Sequence, residues 1–282
     1  MANARALRKR IKSVGSTKKI TRTMELVATA KSKRAQTRVL AARPYVQGLS
    51  ELLTAVRMGL AAGLSDPLLC EVASGPEALL VVTANRGLCG GFNSNVLRLA
   101  QAQPRASDVE MHVIGKKGVA YFTYAKRAIA SRITDLSDTP TYAEADRIVT
   151  PFLERFLRGE LRRVRVVSTL YLTATRQEPR VHTLLPVTPP VTPPVTEGRP
   201  AQAAGASSAI GPLWDPSPEA LLGTLLPQYV RADFLRILME HSVSEQTARR
   251  VAMKNATDNA QEMSKMLTRT YNRARQGQIT QQ

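Results

Sequence analysis

Two stretches of this 282-residue chain can hardly be anything but long helices, and they lie at its two ends. From Ala4 to about Leu60 the only proline is Pro44, glycine is scarce before Gly59, and Ala, Leu, Lys, Arg and Met dominate. The second runs from Ser217 to the end, with Ser217 placed as N-cap and Pro218 at the first helical position; beyond Val230 it has no proline and a single glycine, Gly277. At 1.5 Å per residue they would be on the order of 80 to 100 Å long, far more than a domain of this size needs. Such helices must form a rod, most simply by packing antiparallel against each other.

Apolar spacing suggests how they would meet. Leu7, Ile11, Val14, Ile20, Met24 and Val27 recur as a narrow stripe, the pattern of a coiled-coil seam and not of a broad core face. On the C-terminal helix Ala252, Ala256, Asn259, Met263, Met266 and Thr270 follow alternating steps of four and three, a seam of small or flexible side chains.

The middle reads as alternating strands and helices. Ala78 to Thr83 is a continuous apolar run, followed by a glycine-rich turn and a helix from about Ser94. Met111 to Ile114, Ala128 to Ile133, Arg163 to Leu172 and Val181 to Leu185 read as further strands, with a helix over Tyr142 to Arg158 and with Arg176 and Gln177 in a hairpin connection. Then Val-Thr-Pro-Pro occurs twice in succession from Val187, and Ala, Gly and Ser fill Pro200 to Gly211, a composition that suits a solvated linker. The fold class is therefore α/β: a long antiparallel coiled coil of the terminal helices plus a Rossmann-like domain with helices packed on a mainly parallel sheet. Its divisions are a shaft helix over 1–60, the α/β domain over 76–186, the linker over 187–211 and a second shaft helix over 217–282.

Charge is concentrated at the ends. The sequence carries +18 overall, and residues 1–43 hold 13 Lys or Arg against one acid, Glu25. Charge alone leaves three readings level: an acidic protein partner, nucleic acid, or a targeting presequence. Two cysteines, Cys70 and Cys89, are too few for a disulfide scaffold and fit a reducing compartment. No run of 18 apolar residues exists, which predicts no membrane-spanning helix.

Chemistry-bearing motifs are sparse. The turn Arg86-Gly87-Leu88-Cys89-Gly90-Gly91-Phe92-Asn93 sits where a phosphate loop belongs, but has neither the dinucleotide nor the P-loop spacing. Gly87, Gly90 and Gly91 are read as structural, and no direct nucleotide binding, cofactor or metal is expected. His112, His182 and His241 lack any catalytic context and read as structural histidines.

The order of several motifs resembles the gamma subunit of F-type ATP synthases. Near the start these are Arg10-Ile11-Lys12-Ser13-Val14, Thr17-Lys18-Lys19-Ile20-Thr21, Met24-Glu25-Leu26-Val27-Ala28 and Arg43-Pro44-Tyr45. Near the end they are Ser244-Glu245, Ala248-Arg249, Ala252-Met253, Asn259-Ala260, Tyr271-Asn272-Arg273-Ala274-Arg275-Gln276 and Ile279-Thr280, with Gly87 to Asn93 between. The resemblance implies a non-catalytic central rotor stalk, and it sets aside the presequence because the family's helix begins near residue 1. Its implied partners are the alpha and beta chains, the epsilon chain and the membrane c-ring. Implied stator contacts are Met24, Arg249, Arg275 and Gln276, with Trp214 and Asp215 at the foot against ring or epsilon. The implied location is the cytoplasmic face of the bacterial inner membrane, peripheral through the complex. Members commonly continue past Ile279-Thr280, so a short axle tip is expected, and the 187–211 segment is longer than usual. The rival reading is a basic coiled-coil protein that binds nucleic acid.

Overall fold

The computed structural model describes residues 4–59, 66–70, 72, 75–103, 108–173, 176–188, 215 and 217–280. Helix α1 runs Ala4–Gly59 and helix α5 runs Pro218–Thr280, 56 and 63 residues. Both continue through an internal proline, Pro44 in α1 and Pro227 in α5. The start of α5 follows from its sequence: Ser217 Oγ accepts the Ala220 N–H at 3.3 Å, and Pro218 occupies the position where a missing donor costs nothing.

Between them lie strands β1 (Glu77–Val82), β2 (Val109–Ile114), β3 (Ser131–Ile133), β4 (Arg163–Tyr171) and β5 (Gln177–Leu185), with helices α2 (Phe92–Ala102), α3 (Lys116–Tyr124) and α4 (Tyr142–Leu157). The sheet order is β3-β2-β1-β4-β5; the first four strands are parallel and β5 pairs antiparallel with β4. Central β1 is buried along its whole length, which is why its sequence is uninterrupted Ala, Leu and Val after Glu77. Leu79 and Val81 pack toward α2 and α3 with Val96 and Phe122, while Ala78, Leu80 and Val82 join the larger core under α4 and α5 with Phe152, Leu226 and Phe234.

Local chemistry fixes the turns. Thr141 and Glu144 form a reciprocal capping box that starts α4. Gly115 sits at φ 99°, and a Cβ there would lie 2.0 Å from the Thr83 carbonyl oxygen, so only glycine fits between β2 and α3.

Two expectations are corrected here. Gln177, expected in the hairpin connection, opens β5, and Pro179 is tolerated inside that strand because β5 is an edge. Val187, expected to begin the linker, is 4% exposed and donates its N–H to Leu68 O at 2.8 Å. Residues 189–211 and Trp214 lie outside the described residues.

Candidate functional site

The feature that dominates the molecule is the shaft where α1 and α5 pack antiparallel. The shielded positions of α1 include Leu7, Ile11, Val14, Lys18, Thr21, Glu25, Ala28, Ser32, Ala35, Val39, Ala42, Val46, Leu49, Leu53 and Val56. They alternate steps of four and three without a break, the geometry of a heptad seam. On α5 the matching series is Met253, Thr257, Ala260, Ser264, Leu267, Tyr271 and Ala274. Polar residues pair across it: Thr257 Oγ1 donates to Thr21 Oγ1 at 2.8 Å, and Ser32 Oγ lies 2.8 Å from Thr247 Oγ1. Small hydroxyl side chains let the helices approach closely, and in these two pairs each oxygen is bonded across the seam.

This displaces the expected seam. Ile11 and Val14 are half-buried seam positions, but Ile20 is 58% and Met24 40% exposed. Ala252 and Ala256 are half-buried flanks, and Asn259, Met263, Met266 and Thr270 are exposed, each one residue before a shielded position. The cause is that the seam itself carries Lys18, Thr21, Glu25 and Ser32, so a search for apolar spacing followed the wrong stripe. Ile20, Met24, Leu26 and Val27 on α1, and Met263 and Met266 on α5, instead form an exposed apolar surface on the outside of the shaft. Helix α1 also exposes Arg8, Lys9, Arg10, Lys12 and Lys19. Arg275 and Gln276 are also exposed, roughly 40 Å along α5 from Arg249 at 1.5 Å per residue.

Arg249 lies elsewhere than on that free surface. Its guanidinium donates to Gly87 O at 3.3 Å and Arg86 O at 3.5 Å, and pairs with Glu245 at 2.5 Å. It thereby fastens the glycine-rich turn of the α/β domain to the shaft. Gly90, at φ 59°, faces Ala252, whose Cβ would lie 3.7 Å from a Cβ added to the glycine. Gly91 is the N-cap of α2. Cys89 is buried in the same turn, where Asn93 Nδ2 donates to its sulfur at 3.2 Å, and burial pushes its thiol up. The adjoining cleft of about 450 Å³ has Asn95, Gln177 and Asn255 in its lining and no Lys or Arg, so a phosphate would meet no cationic side chain there.

Replacing Arg249 with Met is expected to destabilise the fold by about 1 to 3 kcal/mol, because two carbonyls and a half-buried carboxylate lose their donor. Thermal unfolding would check it, and an unchanged midpoint would contradict the clasp.

The histidines are taken up by structure. His112 Nδ1 lies 2.7 Å from Ser131 Oγ, and His182 Nε2 lies 2.8 Å from Asp233 Oδ2. His241 packs edge-on against Phe92 with ring centroids 4.9 Å apart. Among the described residues no group of three His, Cys, Asp or Glu could hold a metal.

The family described as ATP synthase matches residues 3–282. The ATP synthase gamma chain of Gemmatimonas aurantiaca is 44% identical across all of this chain and 96% of its own length. This chain belongs to the ATP synthase gamma-chain family. The gamma chain of Leptospira biflexa is 40% identical over the same shares. Solved structures share the fold: a chain of the Euglena gracilis mitochondrial ATP synthase rotor aligns with TM-score 0.68 at 22% identity, covering 98% of each chain. A central-stalk chain from Tetrahymena thermophila aligns at TM-score 0.59 and 20% identity, covering 84% of this chain and 99% of its own. As a gamma-chain relative over its full length, the molecule keeps its matching motifs on the shaft and on the turn clasped to it.

Proposed function

We propose that this chain is the central rotor stalk of an F-type ATP synthase. Its shaft turns with a membrane c-ring and drives the catalytic beta chains of a surrounding alpha–beta ring through successive nucleotide affinities. The observation that carries this is the antiparallel helical shaft with an α/β domain clasped to one flank, in a chain of gamma-chain ancestry. The chain performs no chemistry itself. A rigid asymmetric element biases distant sites through differential contacts, which is conformational coupling. Exposed Met24 with its apolar neighbours offers a surface that slides at little cost over changing partners. The basic flank of α1 suits acidic loops on the stator.

The partners in this reading are the alpha and beta chains, an epsilon chain and the c-ring, with Asp215, an exposed residue, at the foot. Trp214 belongs to the same proposal. No helix of the described residues is long and apolar enough to cross a membrane, and the chain would sit peripherally on the cytoplasmic face of a bacterial inner membrane, held there by the complex. Gamma-chain membership accounts for the basic ends, and no observation favours the nucleic-acid alternative.

Arg275 and Gln276 are exposed and free of any role in the clasp, so they test the stator contact without disturbing the fold. Changing both to Ala in the assembled complex should lower coupled ATP synthesis about 10-fold, since charge-assisted bonds are worth roughly 1.5 kcal/mol or more when partly desolvated. Thermal stability of the free chain should not move. Undiminished coupled synthesis would sink the assignment. Arg249 serves the clasp, and any stator contact it makes would be seen as a coupling loss in R249K beyond its stability loss.

A further inference from the structure

At the edge of the sheet opposite β5, strand β3 and helix α4 enclose a cleft of about 540 Å³ that the rotor reading does not use. Its volume falls in the range that holds small organic ligands. Ile148 and Phe152 of α4 and Ile133 of β3 give it an apolar floor, and Pro151 flanks them. His112, Ser131 and Arg155 line the cleft as well, and the buried His112 Nε2 has no hydrogen-bond partner. His112 is fixed by Ser131, and Arg155 holds Glu110 through two bonds of 2.8 and 3.0 Å. Arg155 is thereby committed to its own carboxylate.

The rim differs. Because Ile133 O accepts the Gly115 N–H at 2.8 Å, Ile133 faces β2, and the alternate residue Arg132 turns its backbone N–H and carbonyl away from the sheet. Arg132 is among the residues that line the cleft. Across from it Arg147 reaches Asp135 Oδ2 at 2.6 Å, in a pair whose members are 56% and 58% exposed. An ion pair so exposed is held weakly and can exchange one carboxylate for another. An edge amide and an exchangeable guanidinium thus stand over an apolar slot that ends in an aromatic ring.

We propose that this cleft binds a small carboxylate with an aromatic or branched apolar body. The body lies against Ile133, Ile148 and Phe152, and the carboxylate takes the Arg147 guanidinium and the Arg132 amide. The acid is either a free metabolite or the C-terminal residue of a peptide, which share this chemistry. The site lies apart from the shaft and its clasp, so it would let a small acid report to the α/β domain without blocking rotation.

The test is calorimetric and ligand-observed NMR titration of the full chain with three probes: 3-phenylpropionate, N-acetylphenylalanine as the chain-end mimic, and neutral 3-phenylpropanol. Saturable binding of one or both acids, on the order of 1 mM for so small a probe, with the alcohol at least 5-fold weaker, supports the proposal. Preference for N-acetylphenylalanine by 5-fold or more identifies a chain end as the source, and the reverse identifies a free acid. R147Q should weaken the acids about 5-fold and R147E should abolish saturation, with melting curves showing both variants folded. Absence of saturation by either acid to 10 mM (roughly ten times the expected constant), equal binding of the alcohol, or undiminished binding by R147E would each overturn it.

Discussion

Replacing Arg236 with methionine is expected to destabilise the chain by about 3 to 5 kcal/mol. Arg236 lies where α5 crosses the sheet, and it bridges two carboxylates: Nε donates to Asp233 Oδ1 at 2.8 Å and a terminal nitrogen donates to Glu240 Oε1 at 3.0 Å. Asp233 is 4% and Glu240 6% exposed, so neither has water to fall back on. Burial opposes charge on the guanidinium, yet the two carboxylates together hold it protonated well above its ordinary value. At Asp233 burial pushes the carboxyl up, but His182 and Arg236 outweigh it and hold the group below the usual carboxylate range. Methionine fills similar volume and leaves two buried anions side by side. Equilibrium urea unfolding at neutral pH measures the loss. The triple variant D233N/R236M/E240Q removes the orphaned charges and should recover most of it, since a neutral buried cluster often costs no more than the ionic one. A loss below about 1 kcal/mol for R236M would mean that the network is effectively solvated.

The shaft shows where the sequence was legible and where it was not. The start of α5 was readable from Ser217-Pro218 and β1 from the apolar run after Glu77, whereas the start of α4 is set by the Thr141–Glu144 capping box. Helix type was equally plain, because 56 residues of α1 hold one internal proline. The face it buries was harder. Heptad assignment by hydrophobicity assumes that the seam is the most apolar stripe, and here the outside of the shaft holds Ile20, Met24 and Val27 while the seam holds Lys18, Thr21 and Glu25. That inversion is itself informative: a rod meant to be enclosed by other chains keeps apolar side chains on its outer surface. The spacing would have given the answer had hydroxyl residues been allowed as seam members. Arg249 escaped for another reason. Its partners Arg86 and Gly87 are backbone carbonyls about 160 residues away in the chain, and no local pattern marks a carbonyl as a partner. The β3–α4 cleft is invisible in the sequence because only the parallel crossover from β3 through α4 to β4 brings its walls together.

A second large effect is expected with acid, and its source is His241. The imidazole is 4% exposed; Nδ1 accepts the Thr169 N–H at 3.5 Å, while Nε2 has no hydrogen-bond partner. Burial alone pushes its pKa down to about 3, against an unfolded value of about 6.5. The sign follows. Below pH 6.5 the unfolded chain takes up a proton that the native imidazole refuses, so stability is lost from about pH 6.5 downward at up to about 1.4 kcal/mol per pH unit, and the loss levels off near pH 3. By pH 5 the deficit from this group is about 2 kcal/mol. Other groups titrate as well: His112, also lowered by burial, works in the same direction, and Glu245, raised by burial, works in the opposite one. Both remain in H241N, where an amide oxygen can still accept from Thr169 and nothing titrates. H241N should therefore be the less stable protein at pH 7, by about 1 to 3 kcal/mol for the lost ring contact with Phe92. Its stability should fall less steeply between pH 7 and 5, so that the two proteins approach each other by about 2 kcal/mol. Urea unfolding at half-unit pH steps reads that difference directly, with Glu110, Asp138 and Asp233 still ionised throughout the window because each is held below its ordinary pKa. Parallel curves for the two proteins would mean that the native imidazole takes up its proton as readily as the unfolded one, and that α5 does not seal this part of the sheet from water.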